Sequence, residues 1–261
     1  MRNIGKVFLW LLVVASVGYA VYHVNEQQRQ MRCKGTDISV FSHDGVALTD
    51  SADIMQIINS TVDSLTERSL QEIPLKRIEA RLRENPFIKS ADVMFTFGGY
   101  LKIRVKTYNP VVRVISDRHH TFFIDEKGIL LPAQAGATAH VPPASGNINI
   151  RVPDSLIHRN VQIKTLTDFP VLKEIFNLAT KIRSSEFLDA QIDQIYVNPA
   201  GEYELIPKIG NHVILLGNLK KLDNKLLKLE AFYKQAMPAN GWKKYKRINL
   251  KYSNQIVCSK I

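Results

Sequence analysis

Cysteine is almost missing from this chain: Cys33 and Cys258 are the two among 261 residues. A small secreted domain stapled by disulfides carries many more. A bridge between them would close nearly the whole chain, and nothing in the sequence brings its ends together. Two free, mostly buried thiols are the simpler expectation. The motifs of covalent and phosphate chemistry are missing too. There is no G-x-S-x-G elbow, no Ser-x-x-Lys with the companion elements of penicillin-interacting enzymes, no P-loop and no G-x-G-x-x-G. No internal repeat or low-complexity tract is visible, which argues against a repeat array. Acidic residues are in deficit, 24 Asp and Glu against 35 Lys and Arg, for a net charge of +11. Such a balance raises nucleic acid as a partner. The basic residues are scattered, however, and no recognition motif accompanies them. A solvated basic surface facing anionic lipid or acidic partners is the expectation, with no nucleic acid.

The residues that could carry chemistry are few. His119-His120 is the only His pair, and no further ligand follows at a metal-like interval. Asp125-Glu126 and the Asp189/Asp193 pair read as solvated carboxylates rather than a general acid/base pair. Phe97-Gly98-Gly99-Tyr100 is a hairpin turn, not a phosphate cradle, and Trp242 reads as a packing anchor. No catalytic residue, metal, cofactor or small-molecule substrate is expected.

One long apolar run stands near the start: Val7, Phe8, Leu9, Trp10, Leu11, Leu12, Val13, Val14, then Val17, Tyr19, Val21 and Tyr22. With its flanks it covers about 20 residues, the length that crosses a bilayer core. Three readings compete: a buried helix, a signal peptide cut near Gly18-Tyr19-Ala20, and an uncleaved anchor over 7–24. The anchor is favoured, because the apolar run passes the cut and Trp10, Tyr19 and Tyr22 suit interfacial positions. Charge orients it poorly. The head 1–6 is too short for a domain, so it is placed inside and the long C-terminal part outside.

Residues 25–36 read as a stalk. Asp37–Phe41 alternates like a strand, and Ser42–Gly45 is a turn. Thr49 or Asp50 can cap a helix to about Asn59, and Pro74 opens a second that Asn85-Pro86 ends. Ile88–Phe97, Gly98-Gly99 and Tyr100–Tyr108 form a hairpin, with Leu101, Ile103 and Val105 alternating with Lys102, Arg104 and Lys106. The resulting β-α-α-β-β unit spans 37–109. The second domain, 110–261, reads as mainly antiparallel β with two helices. Its strands are expected at 111–115, 121–124, 129–131, around Ile148 and Ile150, 191–197, 202–209, 212–216, 245–252 and 256–259. Pro132–Ser145 reads as a loop. Asp168 is expected to cap a helix through Ile182, and Leu219–Ala236 is the other. The last strand would leave a free edge, where an incoming strand gains main-chain hydrogen bonds.

Several motifs together resemble the cell-division protein FtsQ/DivIB family, in a branch of Bacteroidetes type. Ile78–Val93 resembles the family's helix, its breaker and its "aromatic-Ile/Val-x-x-Ala-x-Val" stretch. Leu101–Lys106 with Asn109–Arg113, Phe123–Gly128 with Leu130–Pro132, and Ile248–Tyr252 are similar to three further family stretches. Lys106, Asn249 and Arg247 depart from the usual residues, which weakens transfer of side-chain contacts but not of backbone pairing. The resemblance implies an α+β protein: one N-terminal transmembrane helix, a POTRA-like domain and a β domain. It implies a non-enzymatic divisome scaffold at the inner membrane, its domains periplasmic, concentrated at the septum. Such a protein would bind FtsB-like and FtsL-like proteins by strand addition and help control septal peptidoglycan synthesis. The partner strand would lie along Gln255, Ile256, Val257, Cys258, Ser259 and Lys260, beside Arg247, Asn249, Lys251 and Tyr252. The alternative is a POTRA-containing component of outer-membrane protein assembly or secretion.

Overall fold

The computed structural model describes residues 10, 12–19, 22, 31–42, 48–63, 65–66, 68–116, 120–133, 139–240, 244–253 and 255–260. The chain divides into two compact units, Met1–Ser42 with Thr49–Thr107 and His43–Leu48 with Tyr108–Ile261.

In the first unit, β1 (Gly35–Phe41), α1 (Ser51–Thr61), α2 (Leu75–Arg83), β2 (Ile88–Phe95) and β3 (Tyr100–Thr107) follow one another. Asp50 starts α1 through a reciprocal cap: the Asp53 N–H donates to Asp50 Oδ1 at 2.8 Å, and the Asp50 N–H to Asp53 Oδ2 at 3.1 Å. Such a cap contributes about 1 kcal/mol. The strands order as β1-β3-β2, with β1 parallel to β3 and β2 antiparallel to it. Gly99 takes φ +83° in the β2–β3 hairpin, a conformation without a Cβ penalty only for glycine. The helices cover one sheet face, and Ile54, Ile58, Ile78 and Leu82 meet Ala91, Val93, Leu101, Ile103 and Val105 in a buried core.

The second unit carries β4 (Pro110–Ile115), β5 (Thr121–Asp125), β6 (Leu130–Pro132), β7 (Pro143–Gly146), α3 (Asp154–His158), α4 (Pro170–Arg183) and α5 (Glu186–Gln191). Then come β8 (Ile192–Val197), β9 (Tyr203–Pro207), β10 (Val213–Gly217), α6 (Leu222–Asn240), β11 (Tyr245–Asn249) and β12 (Val257–Lys260). One sheet of nine strands runs in the order β12-β11-β10-β9-β8-β7-β4-β5-β6. Its β10–β11, β4–β7 and β7–β8 pairs are parallel. The helices bury one face, with Leu172, Ile175, Leu178 and Ile182 of α4 and Leu222, Leu226, Leu229 and Tyr233 of α6 in the core.

Four expectations are corrected here. The described helical residues of the N-terminal stretch are Trp10, 12–19 and Tyr22, and among the described residues no helix is long and apolar enough to cross a membrane. The transmembrane anchor expected over 7–24 is therefore overturned. Val7, Phe8, Leu9, Leu11 and Val21 lie outside the described residues, as do the head 1–6, residues 23–30, the turn at 43–45, His119 and Trp242. Second, the Ala/Pro-rich loop contains a strand, since β7 joins the two halves of the sheet. Ile148 and Ile150 do not form one: their N–H groups close tight turns onto Gly146 and Ile148. Third, Asp168 does not cap α4. Phe169 holds the N-cap position without a side-chain bond, and Pro170 supplies the first turn. Fourth, Asp125 is not a solvated turn carboxylate: it is fully buried, and its Oδ1 accepts from the N–H groups of Lys127 (2.8 Å) and Ile129 (2.7 Å).

Candidate strand-docking edge

The C-terminal hairpin is built from alternation. Ile248 and Leu250 are fully buried, and Ile256 and Cys258 pack against the same core. The register sets Arg247 opposite Ser259 and Asn249 opposite Val257. Directly opposed residues share a sheet face. Arg247, Asn249, Val257 and Ser259 therefore lie together on the face away from the helices. Burial pushes the Cys258 thiol pKa up, which makes it a poor nucleophile. Cys33 is buried, and both cysteines are free thiols.

Between β11 and β12 the chain is tied down by lysines. Leu250 donates its N–H to the Leu215 carbonyl at 2.9 Å, and the Lys251 N–H donates to Asn249 Oδ1 at 3.0 Å. Lys228 of α6 donates through Nζ to the carbonyls of Tyr252 (2.7 Å) and Ser253 (3.1 Å). Lys251 pairs with Glu202, and that hydrogen bond holds the Glu202 carboxyl below its ordinary value. Lys225, largely buried, donates to the carbonyls of Leu216 (2.9 Å) and Asn218 (2.7 Å); burial lowers its pKa. Lys225, Lys228 and Glu202 were not singled out by sequence. The spacing of the two lysines puts them on one helix face, but their acceptors are backbone groups brought near by the fold.

The two edges of the nine-stranded sheet differ. At β6 the chain covers its own edge. Leu130 donates its N–H to the Val161 carbonyl at 3.0 Å, and Asn160 Nδ2 donates to the Leu130 carbonyl at 3.4 Å. Ile163 donates to the Gly128 carbonyl at 2.8 Å. At β12 no described segment runs alongside the outer edge, and Val257 is 43% exposed. An uncovered edge offers a row of main-chain donors and acceptors to an extended peptide.

Of the residues weighed for chemistry, Asp189 and Asp193 line one cleft with His140 and Lys208. His120 bonds to Asp154 Oδ1 at 2.7 Å, away from Asp125 in its buried turn. Among the described residues, no group of three or more His, Cys, Asp or Glu could hold a metal ion. A cleft of about 630 Å³ lies beside Pro110, His140, Arg183, Glu186 and Asp189, and in its lining Arg183 donates to the Pro110 carbonyl at 2.8 Å.

Comparison with known families closes the description. Residues 31–106 match the model of a POTRA-like domain, and residues 109–259 match the model described as FtsQ/DivIB, C-terminal related. A comparison with curated proteins finds no match. With more than half of its length in that second match, the chain belongs to the FtsQ/DivIB C-terminal related family.

Proposed function

We propose that this protein is a non-catalytic scaffold of the division machinery that takes up an extended segment of another division protein along β12. The observation that carries the reading is the contrast between the sheet's edges: the chain covers β6 with residues 160–163 and leaves β12 uncovered among the described residues. An added strand would gain main-chain hydrogen bonds worth about 1 kcal/mol each. Arg247, Asn249, Val257 and Ser259 would supply side-chain selection beside it, with Lys251, Tyr252, Gln255, Ile256, Cys258 and Lys260 completing the docking region. The occupants the family suggests are FtsB-like and FtsL-like proteins, through which the scaffold would bear on septal peptidoglycan synthesis. The match over 109–259 favours this reading over outer-membrane protein assembly.

Neighbouring strand residues point their N–H groups to opposite edges. Of Ile256→Pro and Val257→Pro, one therefore removes an outward donor while leaving the β11 ladder intact. Pull-down of FtsB-like partner should fall strongly for that variant, with circular dichroism unchanged. Undiminished recovery with both variants would sink the docking assignment, and a fluorescent fusion that fails to concentrate at mid-cell would sink the division role.

A further inference from the structure

The tip of the β2–β3 hairpin presents a side chain that its turn does not need. The Gly99 N–H donates to the Thr96 carbonyl at 3.0 Å, and the Thr96 N–H to the Tyr100 carbonyl at 2.9 Å. The Tyr100 N–H donates to Thr96 Oγ1 at 3.1 Å. Turns pinned in this way favour Gly, Pro, Asn, Asp or Ser at their centre. Here the residue after Thr96 is Phe97, which is 95% exposed and belongs to neither core. A well-bonded turn thus holds a phenyl ring out in solvent.

Basic residues stand beside it. The Lys34 N–H donates to the Gly99 carbonyl at 3.0 Å, which lays residues 32–34 along the turn. A Cβ on Gly99 would lie 3.2 Å from the Arg32 carbonyl oxygen and 3.9 Å from Lys34 Cδ. Arg32 and Lys34 are exposed, and neither has an ion pair among the described residues. Asp37, the acidic residue of β1, pairs with Lys102 instead. The half-exposed Tyr100 ring lies against Gly35 and Gly98, 3.7 Å and 3.5 Å from where their side chains would begin.

We propose that this tip docks on the surface of an anionic lipid bilayer, with Phe97 entering the acyl boundary and Arg32 and Lys34 meeting headgroup phosphates. Shape favours lipid over protein. The tip projects a single ring, whereas a stable protein interface takes roughly 800 Å² from each partner. A bilayer accepts one projecting ring without a matching pocket, and unpaired cations complement its anionic headgroups. The apolar residues described earlier in the chain fit the same occupant. Trp10, Leu12, Val14, Val17, Tyr19 and Tyr22 are all exposed, and Trp and Tyr suit the headgroup level. Docking on a surface needs no membrane-crossing helix, and among the described residues there is none. The contact is independent of any strand taken up at β12.

The test uses the full chain carrying Phe97→Trp and vesicles of phosphatidylglycerol with brominated acyl chains. Over the background of Trp10 and Trp242 in the unsubstituted chain, a further emission component should shift to the blue and be quenched. Brominated phosphatidylcholine should leave that component unquenched. Adding Arg32→Gln and Lys34→Gln should abolish the quenching and weaken vesicle binding about fivefold per charge removed. High salt should release the component too, a reading that needs no further substitution. Phe97→Ser alters no packed residue and should weaken binding to the anionic vesicles about tenfold, with circular dichroism unchanged. A component that stays unquenched, whether or not the chain binds the vesicles, overturns the site. Equal quenching by both lipids, or without the two cations, overturns it as well. An unquenched component that shifts instead on addition of FtsB-like protein would assign the tip to a protein partner and overturn the lipid contact.

Discussion

The first and last strands of the nine-stranded order differ in what lies beyond them. β6 is three residues long, ends in Pro132 and is covered by residues 160–163. β12 is nearly as short at four residues, but it carries no proline and has no cover among the described residues. Short strands and prolines are ordinary ways to blunt an edge. The covered edge uses both and adds a segment of chain. One edge uncovered among the described residues, against one that is covered, is a difference worth testing, since closing an edge is within this chain's means.

The strongest way to break the comparison is to part the two halves of the sheet. β7 joins β4 to β8, and Gly146 at its end has φ +99° with a Cβ position 2.2 Å from the Val197 carbonyl oxygen. Neither the conformation nor the space admits a side chain. Gly146→Ala should cost about 3 kcal/mol, read as a drop in the denaturant midpoint. A loss below about 1 kcal/mol would mean that β7 does not hold the halves together.

A smaller effect separates the edges themselves. Lys228→Met keeps the aliphatic stem and removes the donor to the Tyr252 and Ser253 carbonyls. Loss of about 1 kcal/mol is expected, confined to the hairpin. Amide exchange in β11 and β12 should quicken several-fold while β5 and β6 stay as they were. Equal acceleration at both edges would show that the lysine supports the whole unit rather than its terminal hairpin.

The smallest effect comes from pH. His212 is buried beside β10, with Nε2 2.7 Å from the Tyr233 hydroxyl, and burial lowers its pKa from the ordinary 6.5. The unfolded chain then binds the proton more readily than the folded one. The stabilisation from keeping His212 neutral is whole above the unfolded value and is lost as pH falls below it. Acidification from about pH 7 to about pH 5 should therefore loosen the β10–β12 side. A His212→Gln variant should lose that dependence, and a thermal midpoint that responds to acid equally in both proteins would refute the assignment.

Much of the architecture was legible along the chain because it is written at short range. The alternation of Leu101, Ile103 and Val105 against Lys102, Arg104 and Lys106 marks a half-buried strand, and β3 is one. Thr49 or Asp50 before an apolar stripe marks a helix start, and Asp50 caps α1. Where short-range signs conflict with packing, the reading went astray. Pro142-Pro143 and nearby small residues read as loop, yet β7 lies mid-sheet between parallel neighbours, with Pro143 at its first residue, where a missing N–H is tolerated. The N-terminal apolar run shows a further limit: hydropathy measures composition, and among the described residues no helix is long and apolar enough to cross a membrane.

The sequence by itself determined the two-part plan of strands and helices, which stripes are apolar, and the dearth of catalytic motifs. Each is a property of residues within a few positions of one another. Only the tertiary structure decided the fate of the edges. Leu130 meets Val161 and Lys228 meets Tyr252 and Ser253 across separations that no local periodicity spans. Closing an edge requires hydrogen-bond partners from elsewhere in the chain, so which edge stays open is settled by packing, after the strands themselves have been specified.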